Sequence, residues 1–453
     1  MSRIKIIGGG LAGPEAALVA ARLGVAVDLW EMRPVKMTPA HETAEFGELV
    51  CSNSLKSESE NTAPWLLKQE MRRAGSELLK HADLSAVPAG HALAVDRVEF
   101  SRRIVEAIEA EPRIRVYREE VTAIDPEEIT VLASGPLTSS ALSEEIARLT
   151  GSEHLAFYDS ISPIVEADSI DMERVYFAAR YDKGTADYIN CPMTREEYDA
   201  FYDALMAAEQ VQEKEWEKLS YFQACLPIEE LARSGRDTLR FGPMKPVGLR
   251  DPRTGTTPHA VAQLRCENLR ADSYNLVGFQ NHLKFGEQAR ILRMIPGLEH
   301  AKFLRYGQIH RNTYINAPTV LTEQLTLRVW PKIFIAGQLS GVEGYTESIA
   351  TGMLAGIYAA AIAAGCEPPL IPRETALGSL VNYITHAEAK RFQPANITFD
   401  LLPPLAEETR KKIRDKRERH RLQCDSSLGA LEGWLSELRN QRAALIWAKA
   451  GNR

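Results

Sequence analysis

Two cysteines stand in sequence surroundings that could support chemistry. Cys51 lies in LVCSNS at 49–54, and Cys225 lies in FQACLPIE at 222–229. A thiolate is a strong nucleophile, and a nearby cation lowers the pKa of a partly exposed thiol. Lys56 and Arg233 are the candidate cations nearest in sequence. A free cysteine is also commonly a small buried apolar residue, so the pattern alone leaves both interpretations open.

A glycine-rich turn after the first apolar run could hold phosphate groups. It fits GxGxxG between the apolar residues at 4–7 and an alanine-rich helix predicted at 14–23, and it consists of Gly8, Gly9, Gly10, Leu11, Ala12 and Gly13. The glycines permit a tight turn, a close backbone approach to a pyrophosphate and close helix packing, while the helix N-terminus supplies N–H groups. Glu31 follows the second predicted strand, at 25–29, and is placed to bind a ribose 2′-hydroxyl. The segment predicts a Rossmann-type dinucleotide site.

A second strand, glycine and helix unit occurs far along the chain, at 335–352 (IAGQLSGVEGYTESIATG). Simple NAD domains do not require such a unit, whereas two-part flavoprotein folds do, so it favours FAD. Its candidate cofactor-binding residues are Gly337, Gln338, Gly344, Tyr345 and Ser348. A packing helix with a glycine-rich lead-in is the alternative on pattern alone.

The order of elements predicts an α/β fold with an insertion. Apolar strands are expected at 113–121 and 129–134, after a helix at 97–109. Long charged helices within 195–221 and a turn-rich segment at 242–258 then mark a different texture. We predict a Rossmann-type, glutathione-reductase-like FAD-binding domain in two parts, 1–155 and 306–370, with an inserted α+β domain at 156–305 and a C-terminal helical segment at 371–453.

Composition excludes several classes of protein. The net charge of −7 and 45% hydrophobic content are those of an ordinary folded enzyme. The six cysteines form no CxxC pair and no His/Cys cluster, which predicts neither a disulfide framework nor a metal site. The apolar stretch at 352–365 is shorter than the roughly twenty residues that span a bilayer. With no secretory segment recognised, we expect a cytoplasmic protein without a membrane span.

Nine stretches carry a family resemblance that runs from about residue 3 to 400. They are GGGLAGPEAA at 8–17, ELVCSNSLKS at 48–57, ALAVDR at 92–97, QACLPIEEL at 223–231, GPMKPVGL at 242–249, NLVGFQNHLKFGEQ at 275–288, RMIPGLE at 293–299, IHRNTYIN at 309–316 and AGQLSGVEGYTESIATG at 336–352. The chain resembles the folate- and FAD-dependent tRNA (uracil-5-)-methyltransferases of the TrmFO family. The related MnmG (GidA) flavoproteins share the glycine turn and an AGQ…GY segment, but the two cysteine motifs together favour TrmFO.

The resemblance implies a reaction and roles for named residues. The methylene group of 5,10-methylenetetrahydrofolate would pass to C5 of the uridine at position 54 in the tRNA T-loop, with reduced FAD as reductant and NAD(P)H regenerating it. Cys225 would add to uracil C6 and Cys51 would be its acid/base partner near the flavin, although the two roles could be exchanged. The candidate folate and tRNA contacts are His282, His310, Arg311 and Tyr345, and a structural role is the alternative for each histidine.

An acidic protein that binds tRNA needs a local basic surface, because phosphate contacts dominate affinity. The run at 410–421 carries eight basic and two acidic residues, but such a run is commonly a solvated helix face. Lys245 and Arg250 are closer in sequence to Cys225 and are the favoured contacts, with Arg236, Arg240 and Arg253 near them. The chemistry requires the target base to leave its stack.

Two other functions and the oligomeric state stay open. An MnmG-like enzyme would modify a wobble uridine with the same fold, and a small-molecule FAD oxidoreductase would use the basic run only for solubility. A monomer is slightly favoured, with tRNA and folate as the expected partners.

Overall fold

The computed structural model describes residues 3–151, 155–160, 162–182, 185–210, 226–307 and 309–450. At 155–160, 309–312 and 442–450 it describes the backbone alone. The strands of these ranges are β1 (Arg3–Ile7), β2 (Ala26–Trp30), β3 (Ser54–Ser57), β4 (Ala86–Val87), β5 (Ala92–Val95), β6 (Ile114–Tyr117), β7 (Thr130–Leu132), β8 (Leu155–Ser160), β9 (Ile164–Glu166), β10 (Tyr176–Phe177), β11 (Tyr188–Met193), β12 (Ala260–Cys266), β13 (Ser273–Leu276), β14 (Phe303–Arg305), β15 (Ile309–Tyr314) and β16 (Ile333–Ile335).

The α-helices of the same ranges alternate with these strands. They are α1 (Ala12–Arg22), α2 (Ala63–Ala74), α3 (Glu77–Leu84), α4 (Arg97–Ala110), α5 (Ser140–Thr150), α6 (Arg195–Met206), α7 (Ile228–Arg233), α8 (Thr238–Phe241), α9 (Phe285–Leu292), α10 (Ala317–Val320), α11 (Tyr345–Ala363), α12 (Ala376–His386), α13 (Glu407–Lys412) and α14 (Lys416–Ala450).

A parallel sheet of five strands forms the first domain, in the order β16-β7-β1-β2-β6. Ile4, Ile6 and Ile7 of β1 are buried, whereas the charged Lys5 of β1 and Asp28 of β2 are only partly buried. β16 joins the sheet beside β7, which precedes it by about 200 residues in sequence. The predicted Rossmann-type α/β fold in two chain segments is confirmed.

Helices α1 and α11 cross at very close range behind this sheet. A Cβ atom added at Gly352 would lie 2.3 Å from the carbonyl oxygen of Ala12, and one at Gly356 would lie 2.7 Å from that of Ala16. Only glycine therefore permits this contact. Among the described residues α11 is the one helix long and apolar enough to cross a membrane, and 83% of its apolar window is buried inside the protein, as in a core helix.

An antiparallel sheet forms the core of the inserted segment, in the order β10-β11-β12-β13-β9-β14. Its apolar core extends in sequence from Val165 to Ala301 and is separate from the core of the first domain. Tyr198, Phe201 and Leu205 of α6 pack into it. At the two junctions with the first domain, β8 and β15 pair with each other. The domain boundaries at 155–156 and 305–306 stay predictions.

Within the segment 195–221, where charged helices are predicted, α6 ends at Met206. The backbone beyond it pairs with a distant segment: Gln210 forms a bridge with Leu283, and the Glu209 carbonyl accepts the N–H of Lys284 at 3.1 Å. Residues 211–225 lie outside the described ranges. Tertiary pairing thus overrides the helical preference of the charged sequence.

The C-terminal helix α14 packs on the first domain through buried Leu431 and Trp434. Glu70 of α2 joins three helices at this contact. Its carboxylate accepts the N–H groups of Ala376 and Leu377, at the start of α12, and the hydroxyl of Ser427 on α14, at 2.7, 2.9 and 2.5 Å. Burial raises the pKa of Glu70 to about 7, although these hydrogen bonds oppose the shift.

Candidate functional site

A cavity opens at the carboxyl ends of β1 and β7, facing the N-termini of α1 and α11. In an open parallel sheet, ligands commonly bind at this edge. The predicted residues that line it are Gly8, Gly9, Gly10, Leu11, Ala12, Glu31, Gly337, Gln338, Tyr345 and Ser348. Two segments that are more than 300 residues apart in sequence thus contribute to one cavity. Gly13 and Gly344 were predicted with them but do not line it.

The three glycines of the GxGxxG motif have different local geometry. Gly8 has a φ of +117°, and a Cβ atom there would lie 2.3 Å from the carbonyl oxygen of Ala133. At Gly13 a Cβ atom would lie 1.9 Å from the carbonyl oxygen of Gly8, so this glycine serves the packing of helix on strand. At Gly10 no described atom lies within 4 Å of that position. Its backbone therefore faces open space, as a turn that receives a ligand requires.

Glu31 is fixed at one wall of the cavity. One carboxylate oxygen accepts the N–H of Gly9 at 2.6 Å, and the other accepts the backbone N–H and the Nε of Arg33 at 2.9 and 3.0 Å. Burial raises the pKa of Glu31, but the hydrogen bonds from Arg33 and Gly9 outweigh it and lower the pKa overall. The carboxylate is thus ionised beside the glycine turn at neutral pH.

Helix α11 brings a second N-terminus to the cavity. Gly344 precedes it with a φ of +107°, and a Cβ atom there would lie 2.5 Å from Oε2 of Glu347. This strained and crowded position explains the glycine without a ligand contact. Tyr345 and Ser348 of the first turn face the cavity. Two helix dipoles with free N–H groups therefore point towards the same space, which favours a negatively charged group.

The hydroxyl of Tyr345 joins this cavity to the first cysteine motif. It accepts the backbone N–H of Cys51 at 2.8 Å and that of Ser52 at 3.1 Å. Burial raises the pKa of Tyr345, so the phenol stays protonated and can also act as a donor. The backbone at Cys51 is therefore fixed by a side chain that itself lines the cavity.

Arg97 places a cation beside Cys51. Its guanidinium donates to the carbonyl oxygens of Leu49 and Cys51 and forms an ion pair with Glu267 at 2.6 Å. Lys56 instead pairs with buried Glu347 at 2.7 Å. An effect of Lys56 on the pKa of the Cys51 thiol stays a prediction.

The inserted domain also contacts the cysteine motif. Arg265 of β12 donates to the hydroxyl of Ser52 at 2.8 Å and to the side-chain oxygen of Asn53 at 3.0 Å. The amide of Asn53, which is fully buried, donates back to the carbonyl oxygens of Val95 and Cys266. Side chains from both domains therefore hold the segment that carries the thiol.

Cys225 lies outside the described residues, whereas the chain that follows it is described. The N–H of Ile228 donates to the Gln280 carbonyl at 2.7 Å. Buried Glu229 accepts the backbone N–H of His282 at 2.6 Å. Burial lowers the pKa of His282 to about 4, so its ring is neutral at neutral pH. His282 does not line the cavity by the glycine turn.

The remaining candidate residues occupy separate places. His310 and Arg311 lie on β15 opposite Asp159 and Tyr158, and their side chains are outside the described part. Half-buried Lys245 and exposed Arg250 lie in the turns before β12 and have no ion pair with any described residue. Three neighbouring arginines do have acidic partners: Arg236 pairs with Asp199 and Asp203, Arg240 with Asp237, and Arg253 with Asp251.

Three residues of the site were missed by sequence reasoning. Arg97 stands in the stretch at 92–97 that carries the resemblance, so a signal for it existed. Arg265 lies outside all of those stretches and is placed only by the tertiary fold. His41 lines the cavity, where burial and then the charge of Arg33 lower its pKa to about 4.

Comparison with known proteins gives matches along nearly the whole chain. The family model described as Glucose inhibited division protein A matches residues 3–367. The methylenetetrahydrofolate–tRNA-(uracil-5-)-methyltransferase TrmFO of Koribacter versatilis is 70% identical over 96% of this chain and 98% of its own length. The enzyme of the same name from Solibacter usitatus is 62% identical over 95% of this chain and 98% of its own length.

A solved structure shares the fold. Aquifex aeolicus GidA superposes with a TM-score of 0.70 at 18% sequence identity, and the match covers 98% of this chain and 75% of that one. At this identity the likeness concerns the architecture alone. It includes both the sheet of the first domain and the inserted segment, since nearly all of the present chain is matched.

Proposed function

The chain belongs to the Glucose inhibited division protein A family and, within it, to the TrmFO methylenetetrahydrofolate–tRNA-(uracil-5-)-methyltransferases, and we propose that it forms 5-methyluridine at position 54 of tRNA. The observation that carries this is 62–70% identity to two TrmFO enzymes over at least 95% of the chain. That identity favours this reaction over MnmG-like wobble modification and over small-molecule oxidoreduction.

The cavity by the glycine turn fits FAD. Gly10 leaves room for a close backbone approach, two helix N-termini can bind the pyrophosphate, and Glu31 offers a carboxylate for a ribose hydroxyl. The residues that would hold the cofactor are the ten predicted residues that line the cavity. When bound and reduced, FAD supplies the electrons that convert a methylene group to a methyl group. NAD(P)H is the proposed source of those electrons.

The protein side of the reaction rests on two thiols. In this proposal the Cys225 thiolate adds to C6 of the uracil, which makes C5 nucleophilic towards the methylene group of the folate. Cys51 then removes the proton from C5, which lets the folate nitrogen leave the methylene group, and once the methylene group is reduced the Cys225 thiolate leaves C6. Support for Cys51 comes from its place beside Tyr345, which lines the cavity, and beside the guanidinium of Arg97. This proximity would let the thiol act on a base that lies next to the flavin.

The other proposed contacts come from the inserted segment and its junction. His282, His310 and Arg311 are proposed to contact the folate or the flipped uridine, and Lys245 and Arg250 the phosphates of the T-arm. The charges of Lys245 and Arg250 are not neutralised by a described acidic residue, which supports their role. We place the FAD-binding domain at 1–155 and 306–370, and expect a cytoplasmic monomer.

One reconstitution tests the proposal. The purified protein is incubated with an unmodified tRNA transcript, methylenetetrahydrofolate, FAD and NADH or NADPH, and the RNA is digested and analysed by mass spectrometry. We expect 5-methyluridine at position 54. Modification at position 34 instead, or none at all with a flavin-loaded protein, would contradict the proposal. A transcript with cytidine at position 54 is the control and should stay unmodified.

The role of each thiol needs its own variant. Cys225→Ala should lose turnover and Cys51→Ala should retain FAD yet lose methylation. Full turnover by Cys225→Ala would overturn the nucleophile assignment and leave the overall function intact.

A further inference from the structure

Two aromatic rings stand exposed on one turn region of the inserted domain. Phe241, the last residue of α8, is 81% exposed, and Tyr181 is 57% exposed. Val247, whose neighbour Gly248 contacts Tyr181, is 51% exposed. Single exposed apolar residues are common on protein surfaces, so exposure alone decides nothing. The backbone contacts and charges around these residues distinguish them. We call Tyr181, Phe241, Lys245, Val247 and Arg250 the turn surface.

The Tyr181 ring lies close to the backbone of Gly248. The N–H of Tyr181 donates to the Gly248 carbonyl at 2.6 Å, and a Cβ atom at Gly248 would lie 2.8 Å from the tyrosine ring. Tyr181 itself has a φ of 59°, an uncommon conformation for a residue with a side chain. The ring therefore rests on glycine backbone with its outer face free for solvent or a ligand.

Buried anchors hold the turn surface rigid. Leu239 and Met244, on either side of Phe241, are fully buried in the core of the inserted domain. The Met244 carbonyl accepts the N–H of Val261 at 3.1 Å, which ties the turn to β12. A rigid platform loses little entropy when a flat ligand stacks on it.

Charge at the turn surface is positive. Lys245 and Arg250 have no ion pair with a described residue, whereas the nearby Arg236, Arg240 and Arg253 are each paired with aspartate. Exposed rings beside unpaired cations are the arrangement by which proteins hold unpaired nucleotides: the rings stack on bases and the cations contact phosphates.

One face of β12 connects this surface to the cysteine motif. The side-chain oxygen of Gln263 accepts hydrogen bonds from the guanidinium of Arg180. Nη1 of the same guanidinium donates to the Val247 carbonyl at 2.9 Å. Two residues further on, Arg265 donates to Ser52 and Asn53. Residues i and i+2 of a strand share a face and are about 7 Å apart. An RNA loop on the turn surface is thus within a few nucleotides of Cys51.

We propose that Phe241 and Tyr181 are stacking platforms for unpaired bases of the RNA loop, with Lys245 and Arg250 on the adjoining phosphates. The proposal rests on the proposed function, and it adds which surface holds the loop and by what contact. It assigns recognition to bases that do not react. These bases hold the loop open while the target uridine reaches the thiols.

The test measures binding of two RNAs to flavin-loaded full-length protein. One is an unmodified T-arm hairpin, and the other is the same stem closed by a non-nucleotide linker. Phe241→Leu keeps apolar bulk without a ring, and Tyr181→Asn removes the ring while tolerating a positive φ. Each should weaken binding of the hairpin about fivefold or more and leave the linker-closed stem unchanged, because base stacking on an aromatic ring is worth about 1 kcal/mol or more per base.

Charge variants and a base probe complete the test. The double variant Lys245→Gln/Arg250→Gln should weaken the binding of both RNAs. Each substitution should reduce the salt dependence of binding by about one phosphate contact. Arg174→Gln is the matched control, since Arg174 lies in the same domain but is paired with Glu197 and Glu299. A 2-aminopurine base in the loop should be quenched by the wild type and not by Phe241→Leu.

Two outcomes would overturn the proposal. One is wild-type affinity for the hairpin in both ring variants. The other is an equal loss for both RNAs, which would show a contact with the stem and not with unpaired bases. Failure of the proposed function is recognised separately, because the wild type would then not methylate the transcript at all.

Discussion

The hydroxyl oxygen of Tyr345 lies 2.8 Å from the backbone nitrogen of Cys51, and the same ring borders the cavity beside the glycine turn. The tyrosine belongs to the first turn of α11, and the cysteine to an irregular segment almost 300 residues earlier. This hydrogen bond therefore sets the position of a thiol relative to the proposed flavin site. The contact is made by the backbone nitrogen of Cys51.

Replacing Tyr345 with Phe should misplace the thiol without unfolding the protein. The variant loses the acceptor for two N–H groups, and kcat/KM for tRNA methylation should fall about tenfold to a hundredfold because small displacements at a reacting group are costly. The flavin absorption spectrum should still show bound cofactor. Tyr358→Phe is the control. Tyr358 lies further along α11, and its hydroxyl accepts the N–H of Ile371. Loss of this bond should lower stability and leave turnover unchanged. Unchanged kcat/KM in Tyr345→Phe would contradict the role of this bond.

Gly10 and Gly13 should respond differently to alanine. A Cβ atom at Gly10 meets nothing within 4 Å in the described structure, so Gly10→Ala should fold with an unchanged midpoint in flavin-free protein, yet lose flavin. At Gly13 the same atom would lie 1.9 Å from a carbonyl oxygen, so Gly13→Ala should lower the unfolding midpoint itself. Flavin content by absorbance and thermal unfolding separate the two effects. Stoichiometric flavin in Gly10→Ala would refute the close-approach role of this glycine.

Arg265 should restrain the cysteine segment from the inserted domain. Arg265→Met leaves Asn53, which is fully buried, without its guanidinium donor, and an unsatisfied buried polar group costs about 1–3 kcal/mol. We expect faster alkylation of Cys51 by iodoacetamide, followed residue by residue with mass spectrometry. Arg180→Met is the comparison, because Arg180 contacts Gln263 on the same face of β12 and does not touch the segment. Equal alkylation rates in the two variants would argue against the restraint.

The buried carboxyl of Glu70 should make stability depend on pH. Its pKa is about 7 in the folded protein, above the value of about 4.3 in an unfolded chain, so its contribution is complete below about pH 4 and is lost as the pH rises through about 7. Glu70→Gln does not titrate. Relative to this variant, the wild type should therefore lose about 1–3 kcal/mol of stability between about pH 4.5 and pH 7.5.

Thermal unfolding of both proteins across that range provides the measurement. Glu106→Gln, at an exposed carboxylate on α4, should show no change in pH dependence. A wild type that gains stability over Glu70→Gln as the pH rises would mean that the hydrogen bonds to α12 and α14 outweigh burial.

Local patterns and distant contacts differed in how far the sequence could reveal them. The turn at Gly8–Gly13 and the residues after β16 were readable because strand, glycine and helix follow one another within about twenty residues. Arg265 was not, because nothing near it in sequence indicates that its guanidinium reaches Ser52. The ion pair of Lys56 with Glu347 was not readable for the same reason, since sequence proximity to Cys51 does not determine the direction of a side chain. The end of α6 at Met206 was not readable either, because the pairing of Gln210 with Leu283 is a long-range contact.

The crossing of α11 over α1 also has a consequence for the order in which the protein is made. Ala12 emerges from the ribosome more than 330 residues before Gly352, the residue that packs against it. Until then the outer face of α1 and the edge of β7 have no partner, and the cavity lacks one wall. We therefore expect flavin capture to be a late event of biosynthesis, possible only once residues up to 363 have left the tunnel, with the inserted domain already able to fold by itself.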